Sequence, residues 1–501
     1  MPLKEKFFSF INLLENRIAP YILIFLAVFA ISLIVYKADW LMGDNYLFLK
    51  TTAQNKPAPI LNPVNIGNSR FFPLAGLDFN LLLLLPGETG SSPMAHYIYV
   101  AASFAAMYVF FLLALKTFLK ENKRFPISLA AFSALLLIIN KSFFMTFLNV
   151  NYAERMISLL FIAFIYFYIR ASESETKEQG FNRWHIAALL CAFLSTYLKE
   201  TVFAFYFTFA FVSICLFYKK MSCAQKKANI MLLVNGIIFL AFYFHFAFAP
   251  GSGQIYRPDY SLGTASIAAS LFSNIKIYYF FLLIIIARIA GMAFFKSKPV
   301  PIFDPLLAAS AVYSIEYIIL GFNDYYYYFP SVIAGIVPLS YFIARHYESA
   351  YMRPKSFFHK AAYLFIFLLA MLPFFEFPKA SALAKITIHD RENTMPGLRL
   401  IAGHYANGGK IYWYQPIENE RKMLELTFFY LNYILGNKEA VLINRINSLN
   451  NIDFASKDVF MYCVADGHGG FNADETMLKK LEEKGFKFNR YLADSLVYFK
   501  E

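Results

Sequence analysis

Two acids sit just beyond the first apolar run of the chain, in Lys37-Ala38-Asp39-Trp40-Leu41-Met42-Gly43-Asp44-Asn45-Tyr46. A carboxylate in a partly apolar loop can hold a raised pKa or bind a cation. Such a group can take the proton from an attacking hydroxyl. Gly43 permits a sharp turn before Asp44, and Asn45 and Tyr46 offer polar groups to orient it. Asp39 is expected at the headgroup layer beside Lys37 and Trp40. Asp44 is therefore the first choice for a general base, and Asp39 the second. Both also fit a plainer role as caps of loop helices.

Cations able to grip a phosphate lie elsewhere. They are Arg70 in Gly67-Asn68-Ser69-Arg70-Phe71-Phe72-Pro73, Arg155, Lys199, and Arg257 in Gln254-Ile255-Tyr256-Arg257-Pro258-Asp259-Tyr260. A guanidinium offers phosphate a two-pronged fork. Each of the four fits equally well as an interfacial cation snorkelling to headgroups or paired to a carboxylate. Glu154-Arg155 and Lys199-Glu200 both read as self-neutralising neighbours, and for Glu154-Arg155 that is the preferred reading. Arg288 and Glu316 interrupt apolar runs. An ion in mid-bilayer costs about 2.5–3.5 kcal/mol, so these two are expected to face a cavity or each other.

The elements that must position these groups are membrane spans. A spanning helix needs about 20 apolar residues, and loops rich in Lys and Arg stay in the cytoplasm. Apolar runs near 21–36, 95–115, 127–147, 155–169, 230–248, 277–295, 305–320, 329–344 and 361–375 alternate between basic and non-basic gaps. The run 184–217 is too long for one crossing. It is broken only by Lys199 and Glu200, so it reads as a hairpin of two spans with that pair at the outer turn. The expected fold is an all-α polytopic protein of about 11 transmembrane helices. Its N-terminus is inside, and a long external loop, 37–93, follows the first span. A small soluble α/β domain, 376–501, lies outside. Within it 410–415, 459–464 and 496–499 read as strands, and 418–435 and 473–485 as helices.

The formal net charge of +13 falls largely on the loops expected in the cytoplasm. It therefore orients the chain and attracts anionic lipid rather than nucleic acid. The four cysteines are scattered, without disulfide or metal spacing. His468, in Gly467-His468-Gly469-Gly470, has no second ligand near it in sequence. No Walker loop, dinucleotide fingerprint or nucleophile elbow is present.

The pattern resembles the GT-C superfamily of polyprenyl-phosphate-sugar-dependent membrane glycosyltransferases, in particular its O-mannosyltransferase-like branch. Members carry an acidic residue soon after the first span, many further spans, and often an external C-terminal domain. Lys199-Glu200-Thr201 is similar to the Lys-Glu pair at an external hairpin of that branch. Tyr325-Tyr326-Tyr327-Tyr328-Phe329-Pro330-Ser331 is similar to its Arg-Tyr-x-Tyr-x-Pro-Ser segment. The chain departs from the family at Asn323-Asp324, where Glu-Arg is expected, so another cation must meet the donor phosphate.

The resemblance implies an inverting transfer of a sugar from a polyprenyl-phosphate carrier to a glycan, lipid or protein acceptor. The reaction would take place on the external face of the inner (plasma) membrane. Asp44 and Asp39 would serve as carboxylates, and Arg70, Lys199, Glu200, Arg257, Asp324 and Tyr325 would contact substrate. No cofactor is specified beyond the room for a divalent cation at the acidic loop. The rival readings are a transporter or flippase of lipid-linked glycans, and a glycan polymerase or ligase. The long external loop, the soluble tail and the lack of an internal repeat favour the transferase over a transporter.

Overall fold

The computed structural model describes residues 18–41, 52, 56–58, 66–67, 70–87, 89–119, 127–150, 152–174, 180–247, 297–319, 325–352, 357–414, 442–446, 448–449, 452–463, 474–492 and 495–500. It adds single residues or short pieces between 268 and 293 and between 424 and 432. Asp44, Arg257, Asp324 and most of the expected helix 418–435 lie outside the described residues. The chain divides into two compact units. The first comprises residues 1–35, 58–78 and 97–384, and the second 36–57, 79–96 and 385–501.

The first unit is helical. Its helices are α1 (Ala19–Val35), α2 (Pro93–Phe118), α3 (Ile127–Ile138), α4 (Lys141–Leu148), α5 (Glu154–Ser174), α6 (Arg183–Thr196), α7 (Val202–Phe217), α8 (Cys223–Ala247), α9 (Phe303–Ile319), α10 (Phe329–Met352) and the start of α11 (Phe357–Ala406). Among the described residues five helical stretches are long and apolar enough to cross a membrane: Pro93–Phe118, Glu154–Ser174, Val202–Lys220, Cys223–Phe246 and Tyr325–Ala344. A sixth is the pair α3 and α4, if counted as one span bent by 66°.

The bend has a local cause. Asn140 takes an extended backbone, and its side chain accepts a hydrogen bond from the Ser142 amide at 2.8 Å, which restarts the helix. The expected run 127–147 is thus a broken element rather than a straight one. The run 184–217, expected as a hairpin of two spans, is two helices, α6 and α7, with residues 197–201 between them, and of the two only α7 belongs to a stretch long and apolar enough to cross a membrane. Asn182 caps α6 by accepting from the Trp184 and His185 amides.

Burial distinguishes the helices. Tyr325–Ala344 is almost wholly buried, whereas most of Cys223–Phe246 is not. The latter carries exposed Ile237, Phe244 and Val234. Pro330 sits in the first turn of α10, where its missing N–H leaves no bond unmade. Ser133 of α3 and Ser340 of α10 meet through their hydroxyls at 2.7 Å, a polar contact between apolar helices.

The first unit also holds two short strands, β1 (Ile66–Gly67) and β2 (Arg70–Phe71), and the second unit carries a five-stranded sheet whose strands, in spatial order, are 443–446, 411–414, 459–463, 495–500 and 486–492. The strands are β3 (Ile411–Tyr414), β4 (Ile443–Ile446), β5 (Val459–Cys463), β6 (Phe486–Leu492) and β7 (Ser495–Lys500). β3 runs parallel to β4 and β5, and β7 runs antiparallel to β5 and β6. Helix α12 (Glu475–Glu483) starts at Asp474, whose carboxylate accepts from the Thr476 amide. Met477 and Leu481, one turn apart, enter a core with Tyr412, Phe454, Phe460 and Phe486. Gly485, with φ 82°, ends the helix in the left-handed turn that glycine adopts without a Cβ penalty.

Candidate functional site

In the first unit four charged side chains meet at helix ends. Glu154 and Arg155 open α5 and are each 1% exposed. Their preferred reading as a self-neutralising pair is corrected by the structure, because each faces a different partner. The Lys199 ammonium, from the α6–α7 turn, bonds the Glu154 carboxylate. The Arg155 guanidinium meets Asp78, in the 3-10 turn Leu77–Leu84, at 2.5 Å. Neighbours in sequence on a helix point about 100° apart, so adjacent charges seldom face each other.

Aromatic rings wall this group. Lys199 Nζ lies 4.0 Å from the Tyr327 ring centre, 5.6 Å from that of Tyr326 and 5.9 Å from that of Tyr317. Arg155 lies 5.0 Å from the Tyr99 ring, and its Nη1 donates to the Ser103 hydroxyl at 3.4 Å. Tyr326 stacks on Tyr152 with ring centres 3.8 Å apart. The Tyr317 hydroxyl is 2.6 Å from that of Thr201 and 3.1 Å from that of Tyr313. Tyr325, half-buried, opens the tyrosine turn with the Lys141 ammonium 4.0 Å over its ring. An ammonium held against ring faces gains from their quadrupoles, more so when desolvated. The arrangement gives a dense set of buried, mutually neutralised charges with a π-rich wall.

Of the residues expected to contact substrate, Lys199, Glu200 and Tyr325 belong to this unit and to segments that bound this group. Arg70 lies on the short strand β2 (Arg70–Phe71), which pairs with β1 (Ile66–Gly67). Of the two arrangements open to Arg288 and Glu316, a cavity or each other, the mutual pair is not the one Arg288 makes. Arg288 forks Asp304, Nε to Oδ1 at 2.6 Å and Nη2 to Oδ2 at 2.8 Å. Asp304 opens α9, and Glu316 lies 12 residues further on, about 18 Å along the axis. Among the described residues, one buried carboxylate oxygen of Glu316 finds no hydrogen-bond partner.

The second unit holds Asp39. Its Oδ1 accepts from the Trp40 amide at 2.8 Å. Burial raises its carboxyl above the ordinary carboxylate range, against the opposing pull of that amide and of Arg399. Trp40 is 2% exposed and its ring meets that of His96 edge-on, with centres 4.9 Å apart. His96 is itself buried, with Nδ1 donating to the Ser92 carbonyl at 2.9 Å and Nε2 3.3 Å from the Thr52 hydroxyl. Lys37, expected to accompany Asp39, instead meets Glu392 at 3.6 Å. Among the described residues no group of three or more His, Cys, Asp or Glu side chains converges to hold a metal ion.

Sequence reasoning did not single out Asp78, Tyr99 or Asp304, nor Tyr317 as a ring facing Lys199. One signal was available for Asp78: it is the one acid in the apolar run 71–86, and an ion in such a run needs a partner.

No family model matches the chain, and no curated protein matches it. Solved structures do. ArnT from Cupriavidus metallidurans bound to undecaprenyl phosphate is 12% identical, with a TM-score of 0.50 over 95% of this chain and 97% of that one. The apo form of the same protein is 10% identical, with a TM-score of 0.49 over 95% and 96%. The apo oligosaccharyltransferase of Archaeoglobus fulgidus is 12% identical, with a TM-score of 0.45 over 87% of this chain and 65% of that one. At these identities the likeness is one of fold. The chain shares the many-helix fold of the undecaprenyl phosphate-bound ArnT structure over nearly the whole of both chains.

Proposed function

We propose that this protein is an integral membrane glycosyltransferase. It takes a sugar from a polyprenyl-phosphate carrier and transfers it to a glycan, lipid or protein acceptor on the external face. The observation that carries the reading is the fold shared, over nearly the whole of both chains, with an ArnT structure bound to undecaprenyl phosphate. In this mechanism an acceptor oxygen bonds the anomeric carbon while the bond from that carbon to the phosphate oxygen breaks. Asp44 takes the proton and the lipid phosphate leaves. Arg70 and Arg257 steady the developing charge on the leaving phosphate. Lys199, Glu200, Asp324 and Tyr325 line the substrate site, with Lys199 held in place by Glu154.

The test uses the full-length protein in lipid nanodiscs with undecaprenyl-phosphate sugars and mass spectrometry of the lipids. Free undecaprenyl phosphate should accumulate with an acceptor present. Asp44→Asn should slow its release at least about 100-fold, the low end for a general base. Asp39→Asn should slow it clearly less. Translocation of intact lipid-linked sugar without cleavage would overturn the reading in favour of a flippase.

A further inference from the structure

Helix α1 ends at Val35, and the six residues that follow are gripped from the C-terminal part of the chain. The Arg391 guanidinium, on α11 and 1% exposed, donates through Nη1 to the Tyr36 carbonyl at 2.9 Å. Glu392, beside it, meets Lys37. Arg399, two turns further along α11, acts on Asp39. The Tyr430 hydroxyl, 3% exposed at the residue, donates to the Leu41 carbonyl at 2.9 Å. All these residues belong to the second unit.

Two facts show that these grips are built in rather than incidental. Arg391 stands in a buried stripe of α11 made by Thr387, Thr394, Met395, Leu398 and Ala402. A guanidinium there is costly unless it is bonded. Lys37 takes a left-handed backbone, φ 51°, which a residue with a Cβ adopts only when its surroundings impose it. The carbonyl gripped by Arg391 is that of the residue just before this turn.

We propose that the C-terminal unit is a positioning device for the segment that leads out of the first span. Arg391 is its positioning residue and Tyr430 its second grip. The tail thereby fixes the stem of the acidic loop from the side of Tyr36 and Leu41. Its importance for catalysis rests on the reading of that loop as the acid–base segment; its hold on the stem does not.

The experiment is hydrogen exchange with mass spectrometry on the full chain in nanodiscs, for wild type, Arg391→Met, Arg391→Lys and Tyr430→Phe. Amides of residues 36–41 should exchange on the order of tenfold faster in Arg391→Met and Tyr430→Phe, the loss expected of one good hydrogen bond. Strands β3 and β5 should keep their protection, and Arg391→Lys should recover most of the effect. If Arg391→Met also releases the strands, Tyr430→Phe decides, since it removes one hydroxyl only. Unchanged exchange at 36–41 in Tyr430→Phe would then overturn the proposal, as would unchanged exchange in both variants. In the transfer assay the loosened variants should lose kcat, with KM for the lipid-linked donor unchanged. A wild type that transfers no sugar while the exchange pattern holds would defeat the transferase reading and leave the positioning role standing.

Discussion

The two units treat buried charge in opposite ways. In the first unit, charge meets charge: Lys199 with Glu154, and Arg155 with Asp78. In the second, buried Arg391 bonds a backbone carbonyl and half-buried Asp39 accepts a backbone amide. A buried ion pair is a unit, since removing either member strands the other in a medium that cannot solvate it. A charge bonded to the main chain leaves behind only a neutral dipole when it is removed. The first arrangement fixes two side chains against each other, and the second fixes a path of backbone. The difference teaches where rigidity is applied: to cations around a tyrosine wall in one unit, and to the course of a loop stem in the other.

The contrast can be broken most forcefully at Lys199. Lys199→Met should destabilise the folded protein by about 3–5 kcal/mol, read as a fall in thermal midpoint in nanodiscs. The double variant Lys199→Met with Glu154→Gln should regain most of that loss. Equal losses in the single and double variants would mean that the pair is not a unit. Next in size is Leu481→Ala in the tail, at about 2–5 kcal/mol. It measures how much of the second unit's rigidity comes from its core rather than from bonds to the segment 36–41.

Asp39→Asn keeps the acceptor for the Trp40 amide and sharpens the comparison through pH. Burial raises the Asp39 carboxyl in the folded protein above its unfolded value. Its favourable, protonated state is fully present below the unfolded pKa, and stability is lost as pH rises through the folded one. The Asn variant should therefore be more stable than wild type at pH 7–8, with the advantage fading towards pH 4. An advantage that grows on acidification would reverse the assigned cause. The smallest effect belongs to Lys37→Ala. Lys37 and Glu392 are 53% and 40% exposed at the side chain, so losing the pair should cost no more than about 1 kcal/mol and less at high salt.

The sequence was most legible where periodicity and charge act locally. Apolar length exposed α2, α5 and α10, and the interruption at Lys199-Glu200 placed the α6–α7 turn. In the tail, the strands at 411–414, 459–463 and 495–500 and the helix at 475–483 follow short apolar runs and the Asp474 cap. Strand β4 escaped notice because Asn444 and Arg445 interrupt its apolar alternation, whereas β6 does alternate over Phe486-Lys487-Phe488-Asn489 before the register shifts between Phe488 and Arg490, so its signal was present and passed over. Partnerships were the least legible. Glu154 finds Lys199 45 residues away, and Arg155 finds Asp78 77 residues away. Side-chain spacing along one helix holds no information about either. The same is true of Arg391 and Tyr36, 355 residues apart, since nothing in residues 36–41 advertises a grip from the tail.

The coupling of Glu154 to Lys199 also constrains how this chain can change over time. A drift that replaces one member alone passes through a destabilised intermediate, whereas exchanging both for matched uncharged residues crosses no such barrier. Among diverging descendants of this sequence the two positions should therefore vary together, both charged or both neutral. An engineer recoding the bundle should treat them as one site with two letters.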